Sequence, residues 1–114
     1  MKKNILILFF FGCLSVYSQG KETALKTVSF PEIEQLQKTN PKPIIVFIYT
    51  DWCKICHGMK QQVFNDKKLI EVLNTNFYFV ELNAEEKENI QFLGNKFVFK
   101  PSGRNTGVHE LAEE

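Results

Sequence analysis

Residues 43–59, PIIVFIYTDWCKICHGM, decide how the rest of the chain reads. After Pro43 comes an unbroken apolar run, Ile44 to Tyr49, rich in β-branched and aromatic residues. A short apolar run without polar alternation reads as a strand buried on both faces, the usual state of a central parallel strand. Thr50-Asp51-Trp52 turns the chain, and a cysteine pair follows at once. Cys53-Lys54-Ile55-Cys56 has the spacing of a redox dithiol, while Cys53 through His57 also spells the C-x-x-C-H pattern of haem attachment.

Working outward, Cys56, Met59 and Val63 recur at helical spacing with Phe64 beside the last, which predicts a helix with one apolar face. Asp66 is placed to cap a further helical piece carrying Leu69, Ile70 and Leu73. Phe77 to Leu82 reads as a second strand. Asn83 then caps an expected helix over Ala84 to Leu93, with Glu85, Glu86 and Glu88 in its solvated early turns and Gly94 as its stop. Lys96 to Lys100 alternates too briefly to assign, Pro101-Ser102-Gly103 marks a turn, and Gly107 to Glu114 has helical composition. Upstream, Ser29-x-x-Glu32 is a capping box flanked by Val28 and Ile33 as a hydrophobic staple, and Asn40-Pro41 ends that helix. Helices alternating with buried strands predict an α/β domain with a mostly parallel sheet and flanking helices.

Composition narrows the chemistry. The chain has 114 residues, 44% hydrophobic and 13% aromatic, with 11 Phe, enough apolar material for one core. A formal charge of +1 supplies no basic field for nucleic acid. The first residues are of a different kind: Lys2 and Lys3, then an apolar stretch from Ile5 to Val16, then small and polar residues. This is the layout of a secretory signal peptide over 1–18, with cleavage after Ser18 and a mature domain over 19–114. The apolar stretch is shorter than the roughly 20 residues of a spanning helix, so no membrane span is expected once the signal is removed. A lipid-modified Cys13 is the less favoured reading of the same segment. Export places the chain in a periplasmic or secreted setting, where disulfides persist. A bridge between cysteines three apart closes a very small loop and staples little, so its use is expected to be chemical.

A dithiol behind a strand, at the start of a helix, meets unpaired backbone amides and the positive end of the helix dipole. Lowering a thiol pKa from ~8.5 to ~7 takes about 2 kcal/mol, and the dipole supplies ~0.3–2 of it. Cys53, in the first turn, is the expected nucleophile; Cys56, sharing a face with Met59, is the expected shielded resolving thiol. Lys54 adds positive charge, and Trp52 offers a flat apolar surface to a partner. His57 has two readings, as support for the Cys53 thiolate or as an exposed polar residue. Haem fits poorly, because Met59 is too near to act as distal ligand and only His109, read otherwise as a surface residue, remains. Cys53, Cys56 and His57 supply three soft ligands where a closed zinc site wants four, which leaves copper as the metal alternative.

Asp51-Trp52-Cys53-x-x-Cys56 after an apolar strand resembles the thioredoxin-like family. The wider pattern of D-W-C-x-x-C-x-x-M, V-F-N-D over 63–66 and N-F-Y-F-V-E-L-N over 76–83 is similar to its exported bacterial members. The resemblance covers about residues 28–93. It implies a thioredoxin-like fold, Cys53 as nucleophile, Cys56 as resolving thiol, no cofactor beyond the pair, and protein thiols and disulfides as partners. Three departures stand out. Phe47 occupies the position of thioredoxin's buried aspartate, Lys54-Ile55 replaces Gly-Pro, and Pro101-Ser102-Gly103 does not match the Thr-Pro segment that carries the family's cis-proline. The C-terminal part, cis-proline strand and hairpin, is therefore expected to be missing. The reading is an exported thiol–disulfide oxidoreductase; the alternative is a non-catalytic binding module, such as a copper–thiolate carrier or a partner-docking domain.

Overall fold

The computed structural model describes residues 24–114. The expected leader over 1–18, its expected cleavage site and Cys13 lie outside the described residues. Helix α1 spans Phe30–Thr39, strand β1 Ile44–Tyr49, helix α2 Lys54–Gly58, helix α3 Lys67–Asn76 and strand β2 Tyr78–Asn83. Four short strands follow: β3 Ile90–Phe92, β4 Asn95–Phe97, β5 Phe99–Pro101 and β6 Gly107–His109. β1 and β2 run parallel in the register Ile44–Tyr78 to Tyr49–Asn83, and a single parallel bridge joins Thr27 to the far side of β2 at Phe79. β3–β4 and β5–β6 are separate antiparallel hairpins. This is a mixed α/β architecture of thioredoxin-like type. No cis peptide bond occurs among the described residues, and no strand of the C-terminal part joins the β1–β2 sheet.

α1 begins where the sequence places it. Ser29 Oγ accepts the Glu32 amide while the Glu32 carboxylate accepts the Ser29 N–H at 2.7 Å, so both halves of the capping box are made. α1 packs on one face of the sheet, joining Phe30 and Ile33 to Tyr78, Val80 and Leu82, with Ile44, Ile90 and Phe92 at the margin. The opposite face carries an aromatic cluster: Phe64 meets Phe47 and Phe79 edge-on, each with ring centroids 5.0 Å apart. α3, capped by Asp66 Oδ1 on the Leu69 N–H, adds buried Ile70 and Leu73.

Five expectations are corrected. β1 is not the strand buried on both faces; β2 is. Val80 is 1% exposed and its register partner Val46 39%, while Leu82 is 2% and its partner Ile48 46%. α1 lies over β2 and only the start of β1, and β1 has no second neighbour among the described residues. The apolar helix face through Met59 and Val63 does not form either. After α2 the segment Met59–Val63 is a π-helical turn, closed by the Phe64 N–H on the Met59 carbonyl. The extra residue rotates Phe64 onto the sheet and leaves Met59 and Val63 exposed.

The expected helix over Ala84–Leu93 is instead a loop and strand β3. Asn83 Oδ1 does cap the Glu85 N–H, but the Glu86 carboxylate then takes the amides of Lys87 and Glu88. His109 binds the carbonyls of Ala84 and Glu88, acceptors that a helix would have needed. Leu93 and Gly94, at φ 51° and 76°, form the two-residue turn between β3 and β4, a left-handed pair that matches hairpin twist. The expected C-terminal helix from Gly107 is strand β6 and a single 3-10 turn, Glu110–Ala112. Its third residue, His109, is fully buried rather than a surface residue.

Candidate redox site

The end of β1 delivers the chain into a tight turn. The Cys53 N–H donates to the Thr50 carbonyl at 3.2 Å, and the His57 N–H donates to the Cys53 carbonyl at 3.2 Å, which starts α2. Cys53 is thus the N-cap of α2, and its Sγ accepts the Cys56 N–H at 3.2 Å. Cap geometry turns the first cysteine's side chain back over the first helical turn, where residue 56 also lies. Cys53 and Cys56 are joined in a disulfide, with Cα atoms 5.3 Å apart. Both are half-buried, so the expected division into an open and a shielded cysteine is not visible in the oxidised state.

Around the bridge two large apolar side chains stand exposed among polar ones. Trp52 is 73% exposed and Ile55 80%. The Trp52 indole N–H donates to Glu85 Oε1 at 3.2 Å, which ties the cysteine turn to the loop after β2. Lys54 points into solvent. His57 is exposed, and its Nε2 lies 3.0 Å from the Asp51 carbonyl oxygen. A carbonyl only accepts, so Nε2 carries the proton and the ring braces the turn that precedes the cysteines. Lys60, one turn further, stands 3.9 Å over the Tyr49 ring and pairs with Glu81 at 3.0 Å.

The structure therefore brings Trp52, Cys53, Lys54, Cys56 and His57 onto one short segment, as the spacing requires. Two contributors escaped the sequence reading. Ile55 looked like a spacer between cysteines, yet it is the most exposed large apolar side chain at the site. Glu85 was read as the start of a helix, and its contact with Trp52 spans 33 residues, beyond any local signal. Among the described residues no three His, Cys, Asp or Glu side chains converge as a metal would need. No described helix is long and apolar enough to cross a membrane.

Comparison with known proteins agrees with this geometry. A thioredoxin-like domain family matches residues 30–108. An uncharacterized protein of Caenorhabditis elegans is 32% identical over 72 residues, 63% of this chain and 10% of that protein. The thiol:disulfide interchange protein DsbD of two Campylobacter jejuni strains is 26% identical over 112 residues, 80% of this chain and 20% of the relative. The chain thus spans a tenth to a fifth of the length of these relatives. No solved structure matches it. With the family match running from α1 into β6 and enclosing the cysteine turn, the chain belongs to the thioredoxin-like domain family.

Proposed function

We propose that the protein is an exported thiol–disulfide oxidoreductase that exchanges disulfides with protein partners through Cys53 and Cys56. One observation carries the reading: the two sulfurs bridge across the N-cap of α2, where Cys53 Sγ already accepts a backbone N–H. That donor favours the anionic form of the sulfur once the bridge is reduced. The lysine-led apolar leader over 1–18 supports export, and the match to part of DsbD supports protein thiols and disulfides as partners.

The chemistry balances without a cofactor. In the reduced protein, Cys53 Sγ attacks one sulfur of a partner disulfide; a new S–S bond forms, the old one breaks, and the second partner sulfur leaves as a thiolate. Cys56 then attacks Cys53 Sγ, reforming the intramolecular bridge and releasing the other partner sulfur. Two electrons and two protons pass from the dithiol to the partner, and the reverse sequence oxidises a partner dithiol. In this scheme Trp52 and Ile55 present an apolar collar to the partner's backbone. Lys54 adds positive charge beside the sulfur, and His57 holds the turn through Asp51.

Cys53→Ser abolishes reduction of a model protein disulfide in this scheme, whereas Cys56→Ser accumulates mixed disulfides with partners. Both are read by non-reducing gel and mass spectrometry after alkylation. Retained turnover in Cys53→Ser overturns the assignment of nucleophile. Stoichiometric uptake of Cu(I) without turnover in the unaltered protein points instead to the metal-carrying alternative.

A further inference from the structure

We propose that the buried His109 is a positioning residue for the redox site: it fixes the loop over 84–88 and, through Glu85, the orientation of Trp52 beside Cys53. The proposal rests on thiol exchange at Cys53 and Cys56 as the chemistry that this positioning serves. His109 is 0% exposed, and no step of the exchange uses it. Its amide and both ring nitrogens are nevertheless all spent on backbone. The N–H donates to the Ala84 carbonyl at 2.7 Å, Nε2 donates to the Glu88 carbonyl at 3.2 Å, and Nδ1 accepts the Leu111 N–H at 3.3 Å. One residue thereby joins the turn over Glu110–Ala112 to both ends of the loop.

The two sides of that joint are held differently. Leu111 and Ala112 pack against the core beneath α1, and Glu110 binds Val98 twice, so the turn bearing His109 is firmly seated. In the loop, the Glu86 carboxylate takes the amides of Lys87 and Glu88, bonds that shape the segment but travel with it. The Ala84–Glu85 peptide is the fixed point. Its carbonyl is held by the His109 N–H and its own N–H by Asn83 Oδ1. A planar peptide pinned at both polar groups sets where the Glu85 side chain begins. The His109 ring then holds the far end at Glu88.

Glu85 passes this placement to the site. Its Oε1 accepts the Trp52 indole N–H at 3.2 Å, across 33 residues of chain. Trp52 is 73% exposed, so packing constrains its ring little and one directional bond sets which way it faces. Trp52 directly precedes Cys53, the N-cap of α2. A ring already oriented meets a partner polypeptide without the cost of ordering it on contact. Small disulfides, which need no apolar collar, gain little from that. His109 therefore acts on affinity for protein partners rather than on the sulfur chemistry.

The test compares His109→Asn with His109→Gln. Asn keeps an acceptor near Nδ1 for Leu111 but cannot reach Glu88; Gln keeps a donor near Nε2 for Glu88. Trp52 is the only tryptophan, so the chain has one indole N–H resonance, and Glu85→Ala marks its position once the contact is lost. His109→Asn is expected to move the resonance toward that mark. It should also lower kcat/KM for a model protein disulfide about fivefold more than for glutathione disulfide, the loss falling on KM. His109→Gln restores both. An indole signal unmoved by Glu85→Ala, Asn and Gln variants that behave alike, or an indole shift without a change in KM each overturns the proposal. If the unaltered chain reduces neither disulfide, thiol exchange itself fails, while the indole resonance still decides whether His109 orients Trp52. Should His109→Asn not fold, the unaltered chain in sub-denaturing urea decides. The indole signal reaches the Glu85→Ala position as the His109 amide loses protection if the two are linked, and independently of it if they are not.

Discussion

Glu110 binds one neighbour twice. Its backbone N–H donates to the Val98 carbonyl at 3.0 Å, and its Oε2 accepts the Val98 N–H at 2.8 Å. That amide, followed by the Lys100 ammonium 3.2 Å away, holds its carboxyl below the ordinary value of 4.5. A carboxylate with a depressed folded pKa contributes stability that is complete above 4.5 and is lost as pH falls through the lowered value. Glu110→Gln is therefore expected to lower the urea midpoint at neutral pH and to converge with the unaltered protein on acidification; because the group is solvent-accessible, salt should narrow the gap. The neighbouring His109 shows what a single residue conceals in a sequence. Nothing in GVHELAEE marks it as buried, yet its N–H reaches the Ala84 carbonyl at 2.7 Å, and its Nδ1 accepts the Leu111 N–H at 3.3 Å. Nε2 must then carry the proton it gives to the Glu88 carbonyl, 3.2 Å away. His109→Ala leaves a cavity and unpaired backbone groups, so unfolding in urea should show a loss of about 2–4 kcal/mol.

At the scale of elements, what was legible was what a few neighbouring residues decide by themselves. Ser29 and Glu32 close a capping box and Asp66 caps α3, because each contact spans three residues. The cysteine turn was legible for the same reason. The segment over 84–93 was not, because its helix signals were outbid by groups far along the chain: Trp52 on Glu85, and His109 on Ala84 and Glu88. The π turn at Met59–Val63 escaped too, since a one-residue insertion leaves the apolar periodicity looking intact while rotating Phe64 onto the sheet. Gly107 belongs among these hidden constraints. Its place in β6 is set by close approach rather than backbone freedom, since a Cβ there would overlap the Phe99 ring and the Lys100 carbonyl. Ring motion can relieve the first overlap but not the second. Gly107→Ala should thus cost about 1–3 kcal/mol and separate β5 from β6, visible as faster exchange of their amides.

Across the whole molecule, the sequence made β1 and β2 look alike, both apolar and both fit for a sheet interior. Which of them is central depends on what else lies beside the sheet, and no local pattern carries that. β2 lies beneath α1 on one face and the Phe64 cluster on the other, with the Thr27 bridge and β1 along its two edges. β1 has the same aromatic support but little cover over Val46 and Ile48, so its apolar character contributes less to folding of a single copy. The register pair Leu82 and Ile48 isolates this difference, because the two sit side by side on one face of one sheet. Leu82→Ala removes a buried side chain from a packed site and is expected to cost about 2–5 kcal/mol. Ile48→Ala removes a side chain already half in water and should cost no more than about 1 kcal/mol. Urea titration of both variants makes the comparison direct. Equal losses would mean that β1 is covered as fully as β2, and that the sheet has no open side.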